Sequence, residues 1–243
     1  MGHLTPGAKI VVGIVCGMVS EVRALGRWAD DPRIAIAVSG ARPERAEAEA
    51  RRLVAEGCRV LISWGVAGGL DPALVPGELV FPAVVVAEDG GSWPASQTVI
   101  ARLDRAIQTA EMPRSSRGMT GKGAILGLDR MVLTVAEKAA LFERSGAVAI
   151  DMESHRVALV AAAAGLPFLA VRAIGDPAGR ALPALAARAL GEDGRPRIGP
   201  VVAGLLRRPG DLGALLRVRR DTAAALASLA GIAEALIAAM LPR

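Results

Sequence analysis

The chain has 243 residues, of which 52% are hydrophobic and 22% charged, so it is long and apolar enough to bury a sizeable core. Aromatic residues make up only 2% and tyrosine is absent, which argues against the stacking platforms of single-stranded nucleic-acid-binding proteins. The net charge of +5 arises in residues 180–243, which carry 10 basic and 5 acidic side chains. Such a segment favours an anionic partner, a membrane surface or nucleic acid, and is equally compatible with an Arg-rich solvated face.

The cysteines and the long apolar runs indicate the cellular compartment and whether the chain crosses a membrane. Cys16 and Cys58 fall in predicted strands, which is typical of reduced core thiols in a cytoplasmic protein. The first ten residues contain no long apolar run, so no signal peptide is predicted. Residues 157–171 are too few to span a bilayer. Residues 222–241 are long enough, but they are Ala-rich and contain Glu234, so we predict a helix docked on the domain.

Apolar runs alternate with helical patterns along the chain, which predicts an α/β layered fold. The predicted strands are residues 9–16, 34–39, 58–63, 77–89 with an interruption at Pro82, 121–127, and two runs that end at Asp151 and Asp176. The predicted helices are residues 19–28, 42–57, 98–111, 134–145, the segment between the last two strands, and a C-terminal helix. No internal repeat is visible.

Carboxylates occur at the ends of predicted strands, where ligands bind in layered α/β folds. Asp151 and Glu153 close one strand and Asp176 closes another, while Glu21 follows the first strand. Acids that converge at one sheet edge raise one another's pKa values, which suits acid/base chemistry. Asp151, directly after its strand, is predicted to have a structural capping role instead.

A glycine-rich stretch follows the third predicted strand in "SWGVAGGLD", and we interpret Gly65–Gly69 as a turn. Such a turn permits close backbone approach to a ribose or a phosphate. It lacks the G-x-G-x-x-G spacing, so it is weak evidence by itself. A methyltransferase that binds S-adenosylmethionine uses a similar turn, and Glu88 or Asp89 would then hold the ribose.

Four ordered segments, "GIVCGMVSEV", "GVAGGLDPALVPGELV", "AIDMES" and "AVRAIGDPA", resemble the nucleoside phosphorylase superfamily. The resemblance is strongest to its nucleosidase branch, which acts on methylthioadenosine and S-adenosylhomocysteine. It implies a three-layer αβα fold with a central mixed sheet, a catalytic domain at residues 9–178 and a homodimer. Residues 179–243 form a helical, Arg-rich extension similar to that of hopanoid-associated phosphorylase-like proteins, a group implicated in removing adenine from adenosylhopane.

The resemblance also implies roles for individual residues in cleaving an N-glycosidic bond. Asp176 is the general acid for adenine N7, which requires a raised pKa, and Glu21 orients and deprotonates the attacking water. Glu153 accepts hydrogen bonds from the ribose hydroxyls and Met152 packs on the sugar. The remaining positions are the base-binding residues Met131 and Val132 and the nucleophile or anion loop formed by Gly65, Val66, Ala67 and Gly68.

The sequence departs from the family pattern at three places. Met131 replaces an aromatic residue that covers the base. Gly175 replaces the serine that commonly supports the acid, so a water or a backbone amide is expected to support Asp176. Ser63 and Val66 replace an Arg and a Ser that bind phosphate in phosphorylases, each lost charge-assisted bond being worth roughly 1.5–3 kcal/mol. Hydrolysis is therefore favoured, and an arginine elsewhere leaves phosphorolysis open.

We expect an enzyme that needs no cofactor beyond water or inorganic phosphate, with an adenine nucleoside carrying an apolar 5′ group as substrate. Adenosylhopane is the leading candidate, and a methylthioadenosine/S-adenosylhomocysteine nucleosidase or a purine nucleoside phosphorylase is the alternative. A methyltransferase or a non-catalytic membrane-surface binder is more remote. His3 and His155 lack partners at metal-ligand spacing, so no metal site is predicted. We expect a cytoplasmic protein, peripheral on the inner face of the membrane through its extension, with no nucleic-acid partner.

Overall fold

The computed structural model describes residues 11–109, 119–120, 123–183, 185, 193–195 and 209–241. Several predictions fall outside the described residues. They are His3, the start of the first strand at Lys9, the end of the third helix at Glu111, the start of the strand at Gly121, and most of the Arg-rich segment before residue 209.

Within the described residues, ten strands form one sheet and six α-helices cover it. The strands are β1 (Val12–Cys16), β2 (Ile34–Val38), β3 (Val60–Gly69), β4 (Leu79–Phe81), β5 (Val84–Ala87), β6 (Ser92–Pro94), β7 (Met119–Thr120), β8 (Ala124–Gly127), β9 (Ala149–Asp151) and β10 (Phe168–Asp176). The helices are α1 (Val19–Ala24), α2 (Pro43–Ala55), α3 (Gln97–Thr109), α4 (Val135–Ser145), α5 (Ser154–Ala163) and α6 (Leu212–Met240).

The long strand β3 organises the sheet. It pairs in parallel with β10 along one side; on the other side it pairs in parallel with β1 and then antiparallel with β9. Parallel and antiparallel ladders therefore meet in one sheet, and its order runs β6-β5-β8-β9-β3-β10-β4-β7, with β1 and β2 branching from β3. Helices α2 and α5 pack on one face and α1, α3 and α6 on the other. The predicted three-layer αβα fold with a central mixed sheet is confirmed.

Helix α6 begins at Leu212, ten residues before the predicted start, and its second half is part of the hydrophobic core. Its buried stripe includes Leu229, Ala233, Leu236 and Ile237, which pack against the sheet and α3. The helix has the length and hydropathy of a membrane-spanning segment, a property that core helices also show. The docked C-terminal helix expected from the apolar stripe is present.

Short-range signals set the bounds of α4, which lies beside the sheet edge that carries the acids. The side chain of Thr134 accepts a hydrogen bond of 3.2 Å from the amide of Glu137, which caps the first turn. Gly146 adopts φ 63° after the last turn, and glycine takes this left-handed conformation without steric strain. These caps fix which residues of α4 face inward, among them the fully buried Lys138 and Leu141.

Candidate active site

A cavity of about 210 Å³ opens at the edge of the sheet where β1, β3, β9 and β10 end. The three acids Glu21, Glu153 and Asp176, which lie far apart in the chain, all line it. The other predicted site residues in its wall are Val66, Ala67, Gly68, Met131, Val132 and Met152. The structure thus brings together the side chains that the sequence places at separate strand ends, and their roles remain predictions.

The predicted turn at Gly65, Val66, Ala67, Gly68 and Gly69 is wrong, because these residues continue strand β3. A Cβ on Gly65 would lie 2.5 Å from both Glu21 Oε1 and Arg172 Nη1. A Cβ on Gly68 would lie 2.9 Å from Ile150 Cγ1. Such distances are shorter than van der Waals contact, so at these two positions the absence of a side chain leaves room for the neighbouring side chains beside an extended strand.

Glu21 is fixed beside this strand by backbone donors. Its Oε1 accepts the amide of Val66 and its Oε2 accepts the amide of Met18, each at 2.8 Å. The fully buried indole of Trp64 donates a hydrogen bond to the backbone carbonyl of Glu21 at 3.0 Å. Burial raises the pKa of Glu21, although the Arg172 guanidinium and the backbone donors oppose the rise. The carboxyl is therefore fixed in orientation, and its raised pKa favours taking up a proton from a neighbouring group.

Arg172, on β10, is the centre of a buried ionic cluster that sequence reasoning missed. Its Nε lies 2.5 Å from Asp151 Oδ2, and its Nη2 donates to Ser63 Oγ at 2.6 Å and lies 3.4 Å from Glu153 Oε2. The side chain is fully buried, and Nη1 has no partner among the described residues. A charged residue inside the apolar run "FLAVRAIGD" was the available signal, since an Arg is rarely buried without acids around it.

By the resemblance, Ser63 stands at the position of a phosphate-binding Arg in phosphorylases. Here its hydroxyl instead accepts a hydrogen bond from Arg172. Asp151 accepts the amide of Ser154 at 3.1 Å at the start of α5, which agrees with its predicted structural role.

The cluster contains three acids, Glu21, Asp151 and Glu153, around one guanidinium. Burial raises the pKa of Glu153 to about 8, Arg172 opposes the rise, and the neighbouring Asp151 and Glu21 add to it. Glu153 also lies near Glu21. A Cβ on Gly17 would lie 2.8 Å from Glu153 Oε1 and 3.4 Å from Glu21 Oε2. One guanidinium does not balance three carboxylates in a dry site, so the cluster retains a proton near neutral pH.

We expect this retained proton to make stability depend on pH. Between the ordinary pKa of Glu153, 4.5, and its folded value of about 8, the folded state binds the proton more tightly than the unfolded state. The contribution of Glu153 to the free energy of unfolding is therefore fully present below pH 4.5 and is lost as the pH rises through about 8. Urea midpoints measured from pH 5 to 9 should fall for the wild type, and Glu153→Gln, which mimics the protonated acid, should flatten the decline. Equal slopes for the two proteins would contradict this.

Asp176 is supported by a lysine that sequence reasoning also missed. Its Oδ2 lies 2.6 Å from Nζ of Lys138, whose side chain is fully buried. The expected support by a water or a backbone amide is thus wrong for this oxygen. Burial raises the pKa of Asp176, and Lys138 and Arg180 oppose the rise.

His155 lies outside this constellation. Its Nε2 hydrogen-bonds Asp129 Oδ1 at 2.8 Å, so it makes a polar contact near the sheet edge. Across the part of the chain that the structure describes, no group of three or more His, Cys, Asp or Glu side chains is arranged to hold a metal ion.

The fold agrees with a comparison of the sequence with known protein families. A model of the phosphorylase superfamily matches residues 20–207. The chain belongs to the phosphorylase superfamily.

Two named relatives share parts of the sequence. A 5′-methylthioadenosine/S-adenosylhomocysteine nucleosidase of Mycobacterium tuberculosis is 28% identical over 155 residues, which are 51% of this chain and 61% of the relative. The futalosine hydrolase of Streptomyces coelicolor is 34% identical over 128 residues, which are 49% of this chain and 54% of the relative. The chain thus spans between about half and three fifths of the length of these two relatives.

Solved structures of nucleosidases and of a futalosine hydrolase also match the chain. One is the 5′-methylthioadenosine/S-adenosylhomocysteine nucleosidase of Neisseria meningitidis in complex with methylthio-immucillin-A, with a TM-score of 0.67 and 17% identity. The match covers 93% of this chain and 98% of that one. At this identity the likeness establishes the fold.

Proposed function

We propose that the protein hydrolyses the N-glycosidic bond of a 5′-substituted adenine nucleoside. The convergence of Glu21, Glu153 and Asp176 on one cavity carries the proposal, because the reaction needs a base for water, a partner for the ribose hydroxyls and an acid for the leaving base. Family membership supports it, as do the named nucleosidase and futalosine hydrolase relatives. The complex of a related fold with methylthio-immucillin-A is consistent with a nucleoside-shaped ligand.

In this mechanism Asp176 protonates N7 of adenine as the C1′–N9 bond breaks and its electron pair moves to the base. Glu153 holds the 2′- and 3′-hydroxyls, and Met152 packs on the sugar. Glu21 accepts the proton of the water that attacks C1′ from the opposite side. Met131 and Val132 cover the base, the former with 36% of its surface exposed at the cavity mouth.

Water is the proposed nucleophile because the carboxylate of Glu21 occupies the place where an anion would otherwise bind. Its oxygens already take the amides of Val66 and Met18, which are donors that a phosphate would need. A phosphate dianion beside Glu21 and Glu153 would also meet two carboxyls, and the guanidinium beside them, that of Arg172, already pairs with Asp151.

For the 5′ group we propose an apolar substituent, with adenosylhopane as the leading candidate and methylthioadenosine as the runner-up. Leu128, Leu182 and Val218 add apolar surface to the cavity wall, which suits an apolar 5′ group. Leu212 and Leu216, at the start of α6, are 49% and 54% exposed beside Arg217 and other arginines. This combination supports peripheral contact with an anionic membrane surface, where a lipid-linked nucleoside would be met.

The test is release of free adenine by the purified protein, with and without inorganic phosphate. We expect equal rates in both buffers, with the unphosphorylated ribose that still carries the 5′ group as the second product. Adenosines with longer apolar 5′ groups, ending with adenosylhopane in anionic vesicles, should react faster than S-adenosylhomocysteine, which serves as the polar control. Adenine release that requires phosphate would overturn hydrolysis, and no release from any substrate would overturn the proposed function. A preference for the polar control would overturn the apolar 5′ assignment.

A further inference from the structure

Lys138, on α4, is completely buried, and its ammonium contacts Asp176 in the cavity wall. Its Nζ has three acceptors: Asp176 Oδ2 at 2.6 Å, the carbonyl of Arg180 at 2.9 Å and the carbonyl of Pro177 at 3.1 Å. Carbonyl oxygens only accept hydrogen bonds, and an ammonium has three hydrogens to give. The geometry therefore matches a charged lysine with every donor satisfied.

This contact divides the two oxygens of Asp176 between different tasks. Oδ2 accepts from the ammonium, so a proton on the carboxyl must be carried by Oδ1. Asp176 itself lines the cavity, with 15% of its side chain exposed. An acid whose rear oxygen is fixed cannot rotate its proton away from the ligand, which is the condition for efficient proton transfer.

The packing beside Asp176 explains why this residue is supported by Lys138 of α4 and not by the residue that precedes it in β10. A Cβ on Gly175 would lie 2.4 Å from Val66 Cγ1, so a serine at this position does not fit with Val66 in place. Thr222 and Ala225 of α6 approach the same point at 3.6 Å, which closes the remaining space. Residue 175 is thus unable to support Asp176. Among the described residues, the only hydrogen bond to the carboxyl of Asp176 comes from Lys138.

We propose that Lys138 is the positioning residue of the general acid. Its ammonium fixes Oδ2 of Asp176, presents the proton on Oδ1 to the leaving base, and neutralises the carboxylate that remains when this proton has moved to the base. The inference rests on the proposed glycosidase function and deepens it by adding a residue that acts through Asp176.

The test compares two leaving groups in the full-length protein. Lys138→Met removes the charge and keeps a side chain of similar length. We expect adenine release to slow by about 10- to 100-fold, the range for a lost charged hydrogen bond. Cleavage of 4-nitrophenyl β-D-riboside, whose leaving group departs as an anion without needing a proton, should change less than about threefold.

Leu103→Val of α3 is the matched control, because it also alters a fully buried helical residue but lies outside the cavity wall. Any effect of this variant should be equal for the two substrates. If Lys138→Met slows both substrates equally, Lys138 is merely structural and the proposal is wrong. If the Met variant fails to fold, Lys138→Gln, which keeps two donors for the carbonyls, takes its place in the same comparison.

Two further measurements separate positioning from stability. Lys138→Met should have little additional effect in an Asp176→Asn background, whereas independent roles would give additive losses. Lys138 opposes the rise in the pKa of Asp176, so its removal raises this pKa further and moves the alkaline limb of kcat/KM to higher pH. Additive losses together with an unmoved limb would overturn the inference. A wild-type protein that cleaves neither substrate would instead refute the proposed function.

Discussion

Replacing Asp176 by Asn is expected to lower kcat for adenine release by about 10³-fold, within the range for loss of a general acid. Asn has the shape of Asp and can still accept from Lys138, so the fold should be unchanged. Because burial raises the pKa of Asp176 and only the protonated form is active, wild-type activity should be lost as the pH rises through that pKa. The residual activity of the variant should lack this alkaline limb.

Asp71→Asn is the matched control for this substitution. Asp71 also follows the end of a strand, but its Oδ1 accepts the amide of Ala73 at 2.8 Å and it lies outside the cavity wall. Its replacement should leave kcat within about twofold of the wild type, as is usual for a surface position. Near-wild-type activity of Asp176→Asn, measured as free adenine by chromatography, would remove this residue from the mechanism.

Replacing Arg172 by Met is expected to lower the free energy of unfolding by roughly 3–5 kcal/mol, the penalty for removing one partner from a buried ionic cluster. The variant leaves Asp151, Glu153 and Glu21 together in the core without their cation. Since the pKa values of Glu21 and Glu153 are raised, protonation of these two acids removes their repulsion, and the difference from the wild type should shrink as the pH falls. Urea unfolding at pH 5 and pH 8 measures both effects.

Arg27→Met provides the control, because the Arg27–Glu234 pair at 2.7 Å is largely exposed. Its loss should change stability by no more than about 1 kcal/mol, the range for surface ion pairs. If Arg172→Met costs no more than this exposed pair, the buried cluster is not held by its guanidinium. Arg172→Lys should fall between the two, since it keeps the charge and loses the forked donor geometry.

The sequence was most informative about the three acids of the cavity. Glu21, Glu153 and Asp176 each follow or end an apolar run, and strands in a layered fold end at a common edge. Their convergence therefore needed only the order of the elements, together with the resemblance. The apolar stripe of α6 was equally informative, because a period of 3.6 residues directly shows which face is buried.

The sequence was least informative about Arg172 and Lys138. Both belong to elements that were predicted, but their partners Asp151 and Asp176 are set by how β9, β10 and α4 pack, which periodicity does not encode. The glycines of β3 were misread for a related reason. Glycine signals either a turn or a lack of room, and only the side chains above Gly65 and Gly68 distinguish the two.

Helix α6 contributes to two parts of the molecule at once. Its second half is locked into the core, while Val218 and Thr222 in its first half reach the cavity and Leu212 and Leu216 face solvent. Residues in the first half of α6 can thus be substituted while the second half, several turns away, keeps the helix anchored in the core. Libraries randomised at these four positions offer a route to altered substrate range in which most members remain folded.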